Sequence, residues 1–286
     1  MHQARAQRVA DLEALDPQRD WQEIYRRTAL WEFPVEARLG FQLAFYRTFG
    51  IPRMARVLAS TGHLKANTTR RAYDTGIVMH EIIYNGFDSL RAQKMVRLMV
   101  ALHDRPDVHQ DDLSYVLNAL IVVPTRFIER AGWRALVDAE RTATWLFYRE
   151  LGHRMGIDKL PDSYNHAVTA FDDYEDAQLA ASDEGAGLTA ATLLALKNRL
   201  PRPLRRQAAA VTSGLLDDAR FATAVSLPKP NPLVVGGMNL AFAARKLVQR
   251  HTRPPTEPSF TPGQRAGDIY PHGYHLDEIG PAATAH

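Results

Sequence analysis

Three side chains between Asn67 and Arg105 are of the types that handle iron and oxygen: Arg71 and Thr75, four residues apart, and His103. At i and i+4 the guanidinium and the hydroxyl share one helix face, and Met79 continues their row. Val96, Met99, Val100 and His103 also fall at helical spacing, which sets the imidazole on or beside an apolar stripe. A cation, a hydroxyl and an imidazole in apolar helix faces suggest a buried iron-cofactor site. An arginine facing a core needs an anionic partner, because an unpaired buried cation is very costly.

Plainer explanations stay open at this stage. A single histidine on such a face is commonly a hydrogen-bonded core or helix-end residue, and a protonated one in a last turn complements the helix dipole. Arg71 can equally reach a carboxylate or solvent at a helix start. Gly76, in mid-helix, costs about 1 kcal/mol against alanine, and close approach of a flat ligand or of another helix would each account for it. His80 lies one turn beyond Gly76 and is the second candidate iron ligand. Glu150 and His153 form an E-x-x-H, the pattern that supplies two ligands to carboxylate-bridged di-iron sites, but no second copy accompanies it.

The composition narrows the chemistry. The 286 residues contain no cysteine, which excludes disulfides, thiolate zinc, iron–sulfur clusters and cysteine-ligated haem. Hydrophobic residues make up 45% and charged residues 23%, enough for a full core. A net charge of +3 does not imply nucleic acid, and the basic cluster Arg199, Arg202, Arg205 and Arg206 lacks aromatics for base stacking. The polar N-terminus has no secretory h-region, and no apolar run approaches a membrane span; the longest, Pro232 to Phe242, is broken by Gly236, Gly237 and Asn239. The expectation is a cytoplasmic protein. Nucleotide-binding glycine motifs and serine-hydrolase or zinc-protease signatures are absent.

The elements that must position these residues read as helices throughout. Val35 to Phe49 is apolar nearly all round. The periodicity predicts a helix from Asn67 or Thr68 to Asn85-Gly86, then one capped by Asp88 or Ser89 and running to about Asp104. Asp111-Asp112 opens a third, which Pro124 kinks or divides. Further helical periods cover Asp138 to Met155, Ser163 to Ala181, Leu188 to Arg199, Leu204 to Leu216 and Pro232 to Arg250. Asp172, Asp173, Glu175 and Asp176 read as a solvated face. The chain is expected to be all-α, with one helical domain over residues 1–253. Residues 254–286 form an extended Pro- and Gly-rich tail, partly disordered or wrapped over the surface.

The runs ANTTRRAYDTGIVMHEIIYNGFDS, AQKMVRLMVALHDR, DDLSYVLNALIVVPTRFIERAGWR and LFYRELGHRMGI, followed by LPDSY, resemble the MpaB-type oxygenase family, which includes the rubber oxygenase (latex clearing protein) catalytic domain. The similarity covers roughly Phe41 to Tyr164, more loosely to about Arg253, and the closing IYPHGYHLDEIGP looks like the tail of relatives. The resemblance implies an all-helical fold enclosing one non-covalent b-type haem, with O2-dependent cleavage of double bonds in a small, hydrophobic, isoprenoid-like or lipid substrate. It implies His103 as the axial iron ligand, and Arg71 and Thr75 beside the haem as cofactor-binding and catalytic residues. Rubber oxygenases carry a lysine just before the threonine, where Asp74 stands here. The alternatives are a non-catalytic haem-binding or sensor protein, a di-iron helical oxidase and a helical interaction protein without a cofactor. Oligomeric state and a general base stay unassigned.

Overall fold

The structure, a computed structural model, describes residues 2–60, 68–199 and 202–280. Its helices are α1 (His2–Glu13), α2 (Trp21–Arg27), α3 (Pro34–Arg47), α4 (Pro52–Ser60), α5 (Thr68–Asn85), α6 (Leu90–His103) and α7 (Gln110–Ala131). They continue with α8 (Asp138–Arg154), α9 (Tyr164–Gln178), α10 (Asp183–Arg199), α11 (Ala208–Leu216), α12 (Ala219–Ala224) and α13 (Pro232–His251). Among the described residues the only β-type pairings are isolated bridges in the tail, Ala266 to Tyr270 and Pro271 to Gly273. The all-α expectation holds.

The centre of the molecule is α3 laid along α7. Their close approach rests on Gly40, where a Cβ would come within 2.4 Å of the Pro124 Cα. Pro124 therefore neither divides nor ends α7, which runs unbroken across it; the buried ring fills the notch that Gly40 leaves. Beside this pair, α2 packs on α8 through rings. The Phe147 ring lies tilted against Tyr25 at 4.4 Å and against Phe87 at 4.9 Å, and the Tyr25 and Tyr148 hydroxyls bond at 2.8 Å. Each such aromatic pair adds about 0.5–1.5 kcal/mol beyond area burial, so this cluster also anchors the turn after α5 through Phe87.

Two expectations change where distant groups meet. Glu175 does not belong to a solvated acidic face. It is buried, accepts from Arg47 Nε at 2.5 Å and from the Tyr115 hydroxyl at 2.8 Å, and so ties α9 to α3 and α7. Asp172 and Asp176 stay at the surface, paired with Arg126 and Arg220. The predicted helix from Leu204 to Leu216 is a 3-10 stretch, Arg202–Gln207, followed by α11, and α12 follows as a separate short helix. Asp217, in the left-handed region at φ 50°, closes α11, and the Asp218 carboxylate caps α12 by accepting from the Arg220 and Phe221 amides.

The tail is folded against the domain. Tyr270, Tyr274 and Ile279 are buried in the main core, and Leu276–Glu278 forms a 3-10 turn against α6. Residues 281–286 lie outside the described residues.

Candidate active site

The hairpin α5–α6 carries the candidate chemistry. Gly86 takes the left-handed conformation (φ 73°) that ends α5, and the Ser89 hydroxyl accepts from the Ala92 amide at 3.1 Å to start α6. Three residues lie between Gly86 and Leu90, so the helices run antiparallel. The register is set by Arg91, whose guanidinium donates to Glu81 at 2.6 and 2.8 Å. Counting equal rises outward from that pair carries His103 to the level of the first turns of α5, where Arg71 and Thr75 stand.

His103 is the last residue of α6 and its ring is exposed, as is Thr75. The sequence reading expected the imidazole in a closed apolar interior; the structure puts it on an open rim. The reason is local: Val96 is buried, but Val100 and Ala101 already face outward, so the stripe runs out one turn before His103. The ring is nonetheless oriented. Its Nδ1 lies 2.7 Å from the Met99 carbonyl. A carbonyl only accepts, so Nδ1 carries a proton, and in the neutral ring the lone pair is then on Nε2. The backbone of Arg71 lies in α5, but its side chain is outside the described residues. Met79, the third member of that row, is buried in the core. Among the described residues no atom lies within 4 Å of a Cβ built on Gly76, so no described helix explains the glycine.

His80 is more enclosed than His103. Its Nδ1 bonds the Gly76 carbonyl at 2.7 Å and its ring lies 5.2 Å from that of Phe260. Desolvation holds its pKa below the ordinary 6.5, and the Arg38 charge adds to this against the Gly76 hydrogen bond. The folded protein therefore keeps this ring neutral where the unfolded chain already takes up a proton. The stability it contributes is complete above about pH 6.5 and is lost as pH falls towards the depressed folded value. His80→Gln is expected to flatten the acid side of a Tm-against-pH curve below about pH 6.5. An unchanged acid limb would assign that loss to other groups.

On the other side of α5 the tail supplies partners that sequence reasoning missed. Buried Asp74 accepts from the Tyr270 hydroxyl at 2.7 Å, and the Arg70 Nε stands 4.0 Å from its second oxygen. Burial first, then the bond to Asp74, pushes the Tyr270 phenol up to about 12, so it stays a donor. One turn-pair along, fully buried Glu81 accepts from Tyr274 at 2.6 Å as well as from Asn85 and Arg91. The only advance signal was the likeness of IYPHGYHLDEIGP to the tails of relatives.

The di-iron alternative finds no support in side-chain placement. Glu150 is engaged by Arg154 Nε at 2.5 Å, His153 is exposed, and among the described residues no three His, Asp or Glu side chains converge. A cleft of about 460 Å3 between α3, α7, α9 and the α11–α12 turn lies away from the hairpin. Arg47, Arg126, Arg130 and Arg220 line it, and each is paired with a carboxylate, so its charge is already balanced. Among the described residues no helix is long and apolar enough to cross a membrane.

Comparison with known proteins agrees with this architecture. The family model described as "ER-bound oxygenase mpaB/B'/Rubber oxygenase, catalytic domain" matches residues 36–235, from the start of α3 into α13. The ER-bound oxygenase mpaB' of Penicillium brevicompactum is 27% identical over 90% of this chain and 76% of its own length. The ER-bound oxygenase mpaB of the same fungus is 30% identical over 81% of this chain and 57% of its own. A solved structure of latex clearing protein in the closed state superposes with a TM-score of 0.63 over 84% of this chain and 69% of that one. At 17% identity that likeness speaks for the fold alone. With the family match spanning most of the helical domain, the chain belongs to the ER-bound oxygenase mpaB/B' and rubber oxygenase catalytic-domain family.

Proposed function

We propose that this protein is a haem-b-dependent oxygenase that uses O2 to cleave or oxidise an unsaturated, isoprenoid-like or lipid substrate. Family membership supports the oxygenase class. The observation that carries the haem assignment is the His103 hydrogen bond to the Met99 carbonyl, which orients the ring and would leave Nε2 as the coordinating nitrogen. Histidines that ligate metals characteristically donate their other ring proton in this way, fixing both tautomer and orientation. The glycine at position 76, with no described atom against it, and the exposed Thr75 at the same end would suit a flat cofactor there.

His103 would hold the iron through Nε2. Haem, when bound, supplies the binding and activation of O2. The chain's own part is to position and to donate. Thr75 offers an O–H, and Arg71, three residues into α5, offers a guanidinium, to an anionic group at this end of the hairpin. Asp74 faces away from that role, since Tyr270 holds it on the tail side of α5. A distal lysine at that position is thus replaced by a carboxylate committed to structure.

The test is a visible spectrum with metal analysis of freshly purified protein, followed by O2 uptake with a polyene. A Soret band with substrate-dependent uptake supports the reading; a Soret band without uptake of O2 points to a haem binder or sensor. Colourless, iron-free protein that does not take up added haemin overturns it. Arg71→Ala and Thr75→Ala are expected to lower turnover per haem by about 10–100-fold while retaining most of the haem. Loss of haem with unchanged turnover per haem would make them anchoring residues instead.

A further inference from the structure

We propose that the outward face of α13 docks this protein on an anionic lipid surface. The helix is seated by one side only. Val234, Val235 and Met238 pack around Gly214 of α11, Phe242 meets Phe127 of α7 edge-on at 5.9 Å, and Arg245 is bound by buried Glu36. The opposite side carries Leu233, Gly237, Leu240, Ala244 and Leu247 at intervals of three and four, with Val248 beside them. Leu233 is 86% exposed, Leu240 72%, Leu247 60% and Val248 61%, and α13 has no buried residue along its whole length. No charged side chain interrupts this face from Pro232 to Val248, a length of about 25 Å at 1.5 Å per residue. Exposed leucines are ordinary singly; a continuous row over more than four turns marks a contact surface.

Charge selects the occupant. From Ala219 to Thr256 the chain has six Lys and Arg residues and no Asp or Glu; Arg220 and Arg245 are engaged by Asp176 and Glu36, and the charge beside the apolar row comes from the other four. Lys229, Arg250, His251 and Arg253 are exposed at the two ends of the apolar row. An apolar helix face bordered by cations is the pattern of helices that lie in a membrane interface, with leucines among the acyl chains and cations at anionic headgroups. A second copy fits less well: antiparallel pairing about Leu240 would bring Lys229 of one copy towards Arg250 and Arg253 of the other, with no carboxylate between. The helix lies on the surface rather than spanning, because its other side is packed on α7 and α11.

The proposal is independent of the haem assignment, and its readout needs neither cofactor nor turnover. Full-length protein is floated with vesicles of phosphatidylcholine alone or with about 30% phosphatidylserine. Binding is expected to the anionic vesicles, to weaken with salt, and to fall about tenfold or more in Leu240→Glu/Leu247→Glu. Lys229→Glu/Arg253→Glu, which leaves the leucines in place, is expected to lose the preference for phosphatidylserine. Circular dichroism and Tm should be unchanged in both variants, whose altered side chains are exposed. Three results would overturn it: no flotation above that with neutral vesicles, undiminished binding of both double variants, or a dimer by light scattering that Leu240→Glu dissolves while vesicles leave the protein unbound.

Discussion

Protein carrying His103→Ala is expected to purify without its Soret band and to bind added haemin far more weakly than the parent. Losing even an outer partner of a ligating histidine typically costs about 10–100-fold in metal affinity, so loss of the ligand itself should exceed that. The fold should tolerate the change. His103 is exposed at a helix end, so stability should move by no more than about 0.5 kcal/mol. His103→Gly with added imidazole gives the converse: the free base should restore the spectrum if the side chain's role is ligation. Full haem content and an unaltered spectrum in His103→Ala would move the ligand to His80. That ring has the same arrangement one helix away, Nδ1 against a carbonyl four residues back, and is already held neutral by desolvation.

The double variant Tyr270→Phe/Tyr274→Phe is expected to be less stable than the parent by about 3–6 kcal/mol, since a hydrogen bond to a charged group contributes about 1.5–3 kcal/mol. Each change removes only an oxygen and leaves the ring packed. The loss should be largest at Asp74, because Tyr270 is its close donor and its Oδ2 has no hydrogen-bond partner among the described residues. Glu81 keeps Arg91 and Asn85 after Tyr274→Phe and should suffer less. The carboxylates are seven residues apart on α5, about 10 Å, so the two effects should be nearly additive. Urea unfolding of the single and double variants measures this. A combined loss below about 1 kcal/mol would mean that apolar contacts of Phe260 and Ile279 hold the tail without these bonds. The result also bears on the site, because Asp74 directly precedes Thr75 on the helix that the tail braces.

The two tests differ in what a reader of the sequence had to work with. The residues proposed for haem lie within one hairpin. Asn85-Gly86 and Ser89 announced its turn, and helical spacing placed Arg71 with Thr75 and His103 near the end of its stripe. Family likeness then assigned their roles. What spacing could not supply was how far the core extends along α6. Apolar character continues to Leu102, yet full burial ends at Val96, with Leu98, Met99 and Leu102 only half-buried and Val100 and Ala101 exposed.

Helix boundaries were legible because capping hydroxyls, left-handed glycines and prolines act within a turn of where they stand. Ser89, Gly86 and the Pro232 start of α13 needed no distant contact to be read. The fate of the carboxylates was not legible, because burial of a charge is decided by whatever residue arrives opposite it. Glu175 meets an arginine 128 positions away and Glu81 a tyrosine 193 away; Glu175 sits in sequence among acidic neighbours that suggest water, and nothing near Glu81 in sequence names its distant partner. The sequence alone therefore determined the succession of helices and the chemistry they can carry. The tertiary structure decided which polar groups leave water, that the tail closes over α5, and that one side of α13 is left bare, since each depends on free energy gained only when remote segments meet.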